Sequence, residues 1–72
     1  MVEVDVRGFV CPIPVVKTQK AIEQHPNEEI IVMVDNAAAK ENVSRYAGSK
    51  GYVCKVEEVE DDYCIKLLPP GK

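Results

Sequence analysis

Cys11 stands directly before Pro12 in the run Cys11-Pro12-Ile13-Pro14, and a thiol in that setting is suited to nucleophilic sulfur chemistry. The alternating run Val2 to Val6 lies just upstream, and a helical pattern follows the prolines. The spacing therefore predicts a thiol at the end of a strand-to-helix turn, capping the helix. The positive end of a helix dipole favours the thiolate, which is the form that attacks sulfur and carries it.

The two prolines sharpen that placement. Pro12 suits the first helical position, where its missing N–H has no partner to lose. Pro14 falls in the same first turn, whose amides lack intrahelical acceptors. With both donors gone, the Ile13 N–H and the dipole remain to favour a thiolate, and Arg7 is the candidate charge partner. A lowered Cys11 pKa is expected, without extreme depression. The same position also suits a small buried thiol with no chemistry, and that reading stays open.

The remaining thiols, Cys54 and Cys64, fall on strand patterns of opposite phase. Cys54 shares a face with Val56 and points to the core; Cys64 shares a face with Lys66 and points away. Opposite faces of neighbouring strands cannot form a disulfide, and neither thiol has a helix N-terminus to activate it. Three cysteines without a Cys-x-x-Cys pair read neither as a disulfide framework nor as a dithiol redox site. His25, the single histidine, lies before Pro26 at the far end of the first helix, so ligand spacing for a metal is absent and no metal or cofactor is expected.

The elements that must position Cys11 read as β-α-β-α-β-β. Val2, Val4 and Val6 alternate with charged residues, and Gly8 breaks the strand. A helix from about Pro12 to Gln24 carries Val15, Thr18 and Ile22 on one stripe. The run Ile30 to Val34 implies a central strand or one buried on both faces. Asp35-Asn36 caps a second helix with Val43, Tyr46 and Ala47 on its buried stripe and Gly51 as its left-handed stop. Strands follow over Tyr52 to about Glu58 and Tyr63 to Leu68, with Asp61-Asp62 as the turn. The fold class is thus α/β, a two-layer α+β sandwich: a four-stranded mixed sheet with both helices on one face. The other face is left open, with Ile31 or Met33 contributing to it. Residues 1–68 form the domain, and 69–72 a tail or the start of a linker.

A net charge of −3 disfavours broad phosphate-backbone contact, so direct nucleic-acid binding is not expected. The longest apolar run is far too short to span a membrane. Without a basic leader and apolar core, the cytoplasm is the expected location.

Asp5-Val6-Arg7-Gly8 followed by Cys11-Pro12-Ile13-Pro14 resembles the TusA/SirA-like family of small sulfur carriers, whose signature is Cys-Pro-x-Pro after an Arg-Gly turn. The resemblance covers nearly the whole chain, and the β-α-β-α-β-β order agrees with that family's two-layer fold. The stretches Val34 to Ala38 and Glu41 to Arg45 look more like the YedF subgroup, which is linked to selenium metabolism and whose longer members carry a second domain. Where TusA itself has Asp-Pro near the second helix, Asn36-Ala37 stands here.

The resemblance implies a persulfide carrier that works with partner enzymes and is not a stand-alone catalyst. Cys11 would accept sulfane sulfur from a cysteine desulfurase or rhodanese and pass it to a downstream acceptor protein, in sulfur or selenium metabolism. Arg7, Gly8, Pro12 and Pro14 would support the site. Two other readings remain: a non-catalytic docking or regulatory module, and, less favoured, an RNA-binding module. Only four aromatics are present, Phe9, Tyr46, Tyr52 and Tyr63, and no two alternate along one strand as a stacking platform needs.

Overall fold

The computed structural model describes residues 2–10 and 12–70. Its elements run β1 (Val2–Asp5), α1 (Ile13–Gln24), β2 (Ile30–Val34), α2 (Ala37–Ser49), β3 (Val53–Val59) and β4 (Asp62–Leu68). The strands form one sheet in the order β1-β2-β4-β3, with β1 parallel to β2 and both other pairings antiparallel. That is the mixed sheet expected from the sequence. α1 packs over β1 and β2, α2 over β3 and β4, and the helices touch each other.

Alternation along the strands decides which side chains meet the helices. Ile30, Val32 and Val34 are buried, and in register with them lie Val2 and Val4 on β1 and Ile65 and Leu67 on β4. The intervening Ile31 and Met33 are half-buried on the uncovered face, so β2 is central and two-faced in the way its unbroken apolar run implies. The core is closed by Val6, Ala21, Ala39, Val43, Ala47 and Tyr52.

Local signals set the helix ends. Asn36 has extended backbone, and its side chain accepts from the Ala39 N–H at 2.7 Å, a bonded N-cap. At the other end the Gly51 N–H donates to the Gly48 carbonyl and the Tyr52 N–H to the Ala47 carbonyl, both at 3.0 Å. Gly51 takes φ +87°, so this is a Schellman stop, and it drops Tyr52 into the core.

Two helix stripes differ in detail from the periodicity. On α1 the fully covered residues are Pro14, Thr18 and Ala21, while Val15 and Ile22 pack at the margin of the core. On α2 Ala39 joins Val43 and Ala47, and Tyr46 is only half-buried. In both cases the small residue sits under the centre of the helix because it lets the helix approach the sheet. Val56 faces the core side through its pairing with Ile65 but is 44% exposed. β3 is an edge strand, and only its Cys54 end packs against the core. The turn residues are Glu60 and Asp61, with Asp62 already in β4. Glu60 supplies the positive φ, +57°.

Candidate functional site

The turn that leads from β1 toward α1 is built by hydrogen bonds from four directions. The Val6 N–H donates to the Met33 carbonyl at 2.9 Å, which carries β1 pairing to its last residue. The Phe9 N–H donates to the Val6 carbonyl at 3.2 Å and closes a turn with Arg7 and Gly8 in its middle. Gly8 takes φ +88°, the value a type II turn requires at that position, so a side chain there would be strained. Asp35, which the sequence places only at the cap of α2, also belongs to this turn: its Oδ2 accepts from the Gly8 N–H at 2.8 Å.

Arg7 is held by two carboxylates. Asp5 Oδ1 accepts from the Arg7 backbone N–H at 3.1 Å and from Nε at 2.9 Å, and Asp5 Oδ2 accepts from Nη2 at 2.8 Å. On the other side Nη1 donates to Asp62 Oδ2 at 3.2 Å. The side-chain and backbone bonds from Arg7 hold the Asp5 carboxyl down at about 2. The same bonds push the guanidinium further up from its already high value. With one cation facing two anions, Arg7 is a structural clamp of the turn, and little net positive charge is left to act on a neighbour.

Cys11, the central expectation of the sequence, lies outside the described residues. Its flanks are described. Pro12 is the N-cap of α1, and its carbonyl accepts the first helical bond, from the Val16 N–H at 3.0 Å. This corrects the expectation that Pro12 is the first helical residue: Ile13 and Pro14 fill the first two positions. The physical rule is unchanged, since neither proline removes a helical bond there. The Ile13 N–H, expected as a free first-turn donor, is taken by the Val10 carbonyl at 3.0 Å. Of the two aids to a thiolate that the prolines leave, the dipole of the twelve-residue helix is therefore the stronger candidate. Pro14 is buried, and the fully buried Thr18 hydroxyl donates to its carbonyl at 2.8 Å, fixing the first turn from inside.

The surface around this helix start is apolar. Phe9, Val10, Ile13 and Val16 are 42%, 76%, 38% and 39% exposed, and the Lys17 ammonium lies 5.1 Å from the centre of the Phe9 ring. The other exposed large hydrophobics, Val53, Val56 and Val59, all lie on β3.

The two described thiols are free and on opposite faces, as their phase implies. Cys54 is opposite Leu67 on the core side; its Sγ donates to the Ser44 carbonyl at 3.5 Å, and burial pushes its pKa up. Cys64 lies between Met33 and Glu57 on the uncovered face. It borders a shallow cavity of about 270 Å³ with Ile31, Lys55, Glu57 and Lys66. A smaller one, about 170 Å³, adjoins Met33, Val59 and the Arg7–Asp62 pair. Among the described residues no cluster of His, Cys, Asp and Glu could hold a metal ion. No helix among them is long and apolar enough to cross a membrane.

Known proteins match this arrangement along nearly its whole length. The model of the sulfurtransferase TusA family matches residues 2–68. A protein of Methanocaldococcus jannaschii, provisionally named a sulfur carrier protein, is 43% identical over 69 residues, 93% of this chain and 92% of its own. A Thermotoga maritima protein of the same provisional name is 39% identical over 57 residues, 76% of this chain and 72% of its own. The crystal structure of a SirA-like protein from Desulfitobacterium hafniense superposes with a TM-score of 0.90 at 27% identity, covering 97% of this chain and 99% of that one. The chain belongs to the TusA family.

Proposed function

We propose that this member of the TusA family is a persulfide carrier, with Cys11 as the atom that holds the sulfur. The observation that carries the reading is the Pro12 cap of α1, which puts the Cys-Pro-x-Pro run at a helix start ringed by exposed Phe9, Val10, Ile13 and Val16. A carrier needs a thiolate that partners can reach and apolar surface on which they can seat.

The transfer balances without an external oxidant. The Cys11 thiolate attacks the terminal sulfur of a donor persulfide. A new S–S bond forms on Cys11, the donor's own S–S bond breaks, and the donor leaves as a thiolate. In the second half a nucleophile of the acceptor attacks the outer sulfur and Cys11 leaves as the thiolate. A cysteine desulfurase or rhodanese-type protein fits the donor role, and a downstream protein the acceptor role. The cytoplasm suits such a relay because thiols stay reduced there. Selenium use, as in the YedF-like subgroup, would follow the same two displacements.

Incubation with a cysteine desulfurase and cysteine tests the proposal. The chain should gain about 32 Da, one sulfur atom, on Cys11, and a reductant should remove it. Cys11→Ser should abolish the gain and leave the melting temperature in place. If several desulfurases, including one from the source organism, leave the mass unchanged while Cys11 is reduced and accessible, the docking-module reading replaces this one.

A further inference from the structure

The path from the β1 turn to α1 has little packing to hold it. Phe9 and Val10 face solvent at 42% and 76% exposure, so hydrophobic contact does not decide where this segment runs. Polar ties do, and the one nearest the thiol's side of the turn comes from β2. Gly8 donates its N–H to Asp35 Oδ2 at 2.8 Å, and Asp35 Oδ1 accepts from Asn36 Nδ2 at 3.0 Å. The same Asn36 side chain caps α2 through Oδ1, which accepts from the Ala39 N–H at 2.7 Å. The cap fixes which way the Asn36 amide faces. That leaves its NH2 on one oxygen of Asp35 and the other oxygen for Gly8.

We infer that Asp35 is a positioning residue for sulfur transfer: it ties the Gly8 turn to the cap of α2 and so sets the position from which Cys11 meets a donor. The inference rests on the carrier reading of Cys11. Asp35, Gly8 and Asn36 are all exposed, and hydrogen bonds at an exposed site contribute little net stability. What the Gly8–Asp35 bond supplies is geometry, across 27 positions of sequence, at a segment that nothing else packs. A reacting sulfur displaced by about 1 Å can lose a factor on the order of a hundred in rate.

The test compares wild type, Asp35→Ala and Asp35→Asn in single-turnover loading from a cysteine desulfurase with cysteine, at saturating and subsaturating donor. Asp35→Ala should slow loading at saturating donor about tenfold, with donor affinity changed less than about twofold. Iodoacetamide, which approaches Cys11 from any direction, should label it within about twofold of the wild-type rate. Asp35→Asn keeps an acceptor for Gly8 but turns its own NH2 toward the Asn36 NH2, so it should recover part of the rate. Amide exchange at Gly8 should quicken in Asp35→Ala while core amides such as Val32 keep their protection. Equal loading by wild type and Asp35→Ala overturns the inference, as does a loss of loading matched by equal losses in alkylation and melting temperature. A wild type that takes no sulfur at all overturns the carrier reading instead, and the exchange of Gly8 then decides whether Asp35 orders the segment.

Discussion

Arg7 Nη1 reaches Asp62 Oδ2 at 3.2 Å, joining the turn after β1 to the first residue of β4 across the uncovered face of the sheet. Asp5 completes the clamp from the same strand end. The cation expected to favour a thiolate is thus an architectural one, and its effect is felt by a carboxyl group.

That effect has a definite sign with pH. The folded-state pKa of Asp5 is depressed from 3.8 to about 2, first by the Arg7 side-chain hydrogen bonds and then by the Arg7 backbone bond. A depressed carboxyl stabilises the fold above its unfolded value, and the contribution is lost as pH falls through the folded one. The loss falls in the window between 3.8 and about 2. Carboxyl carbon shifts should titrate Asp5 near the lower figure in the native chain, and Arg7→Ala should return it toward the ordinary carboxylate value.

Thiol reactivity should separate the three cysteines. Cys54 is core-facing, bonded to the Ser44 carbonyl and raised in pKa by burial, so its thiolate is scarce at neutral pH. Cys64 borders two open cavities and should label before it. Cys11, with the helix dipole behind it, should label first of all. Timed iodoacetamide labelling with peptide mapping reads the order, and a fast Cys54 would contradict the placement of β3.

Thr18 should be sensitive out of proportion to its size. Its side chain is fully buried, and its hydroxyl satisfies the Pro14 carbonyl at 2.8 Å in the turn where proline has removed a donor. Thr18→Ala removes the bond and leaves a small cavity, together costing about 1–3 kcal/mol. Thr18→Ser keeps the bond and should cost about 1 kcal/mol, mainly for the lost methyl group. Urea unfolding of the two variants distinguishes these outcomes.

Much of this fold is legible before any coordinates because the signals are local. Alternation at Val2, Val4 and Val6, the unbroken run Ile30 to Val34, the Asn36 cap and the Gly51 stop each act within a few residues and place β1, β2 and α2. What the sequence conceals depends on distant partners. Nothing local tells that Arg7 meets Asp62, or that Asp35 leaves its own helix to bind Gly8, since those pairs form only when β1, β2 and β4 lie side by side. The inward places of Ala21 and Ala39 are hidden for a related reason: periodicity ranks large apolar residues first, whereas close helix-to-sheet approach selects small ones. Pro12 shows the limit of composition rules, because a proline satisfies the N-cap and the first helical position equally well in sequence.

The apolar rim beside Cys11 gives the last prediction. Phe9, Val10, Ile13 and Val16 lie partly or mostly in solvent, so they contribute little to folding. Val10→Ser and Val16→Gln should each leave the unfolding free energy within about 0.5 kcal/mol of the native value. If partners seat on this rim, each substitution should weaken donor binding by about three- to tenfold, the effect of about 0.7–1.4 kcal/mol of lost apolar contact. The loss should appear in the donor concentration needed for half-maximal loading, with the rate at saturation retained. Val53→Ser on β3 is the control, since Val53 is 55% exposed but at the far edge of the sheet from β1. Equal sensitivity at Val53 and Val16 would mean that the partner's footprint is not centred on the start of α1, and the rim would then be ordinary surface.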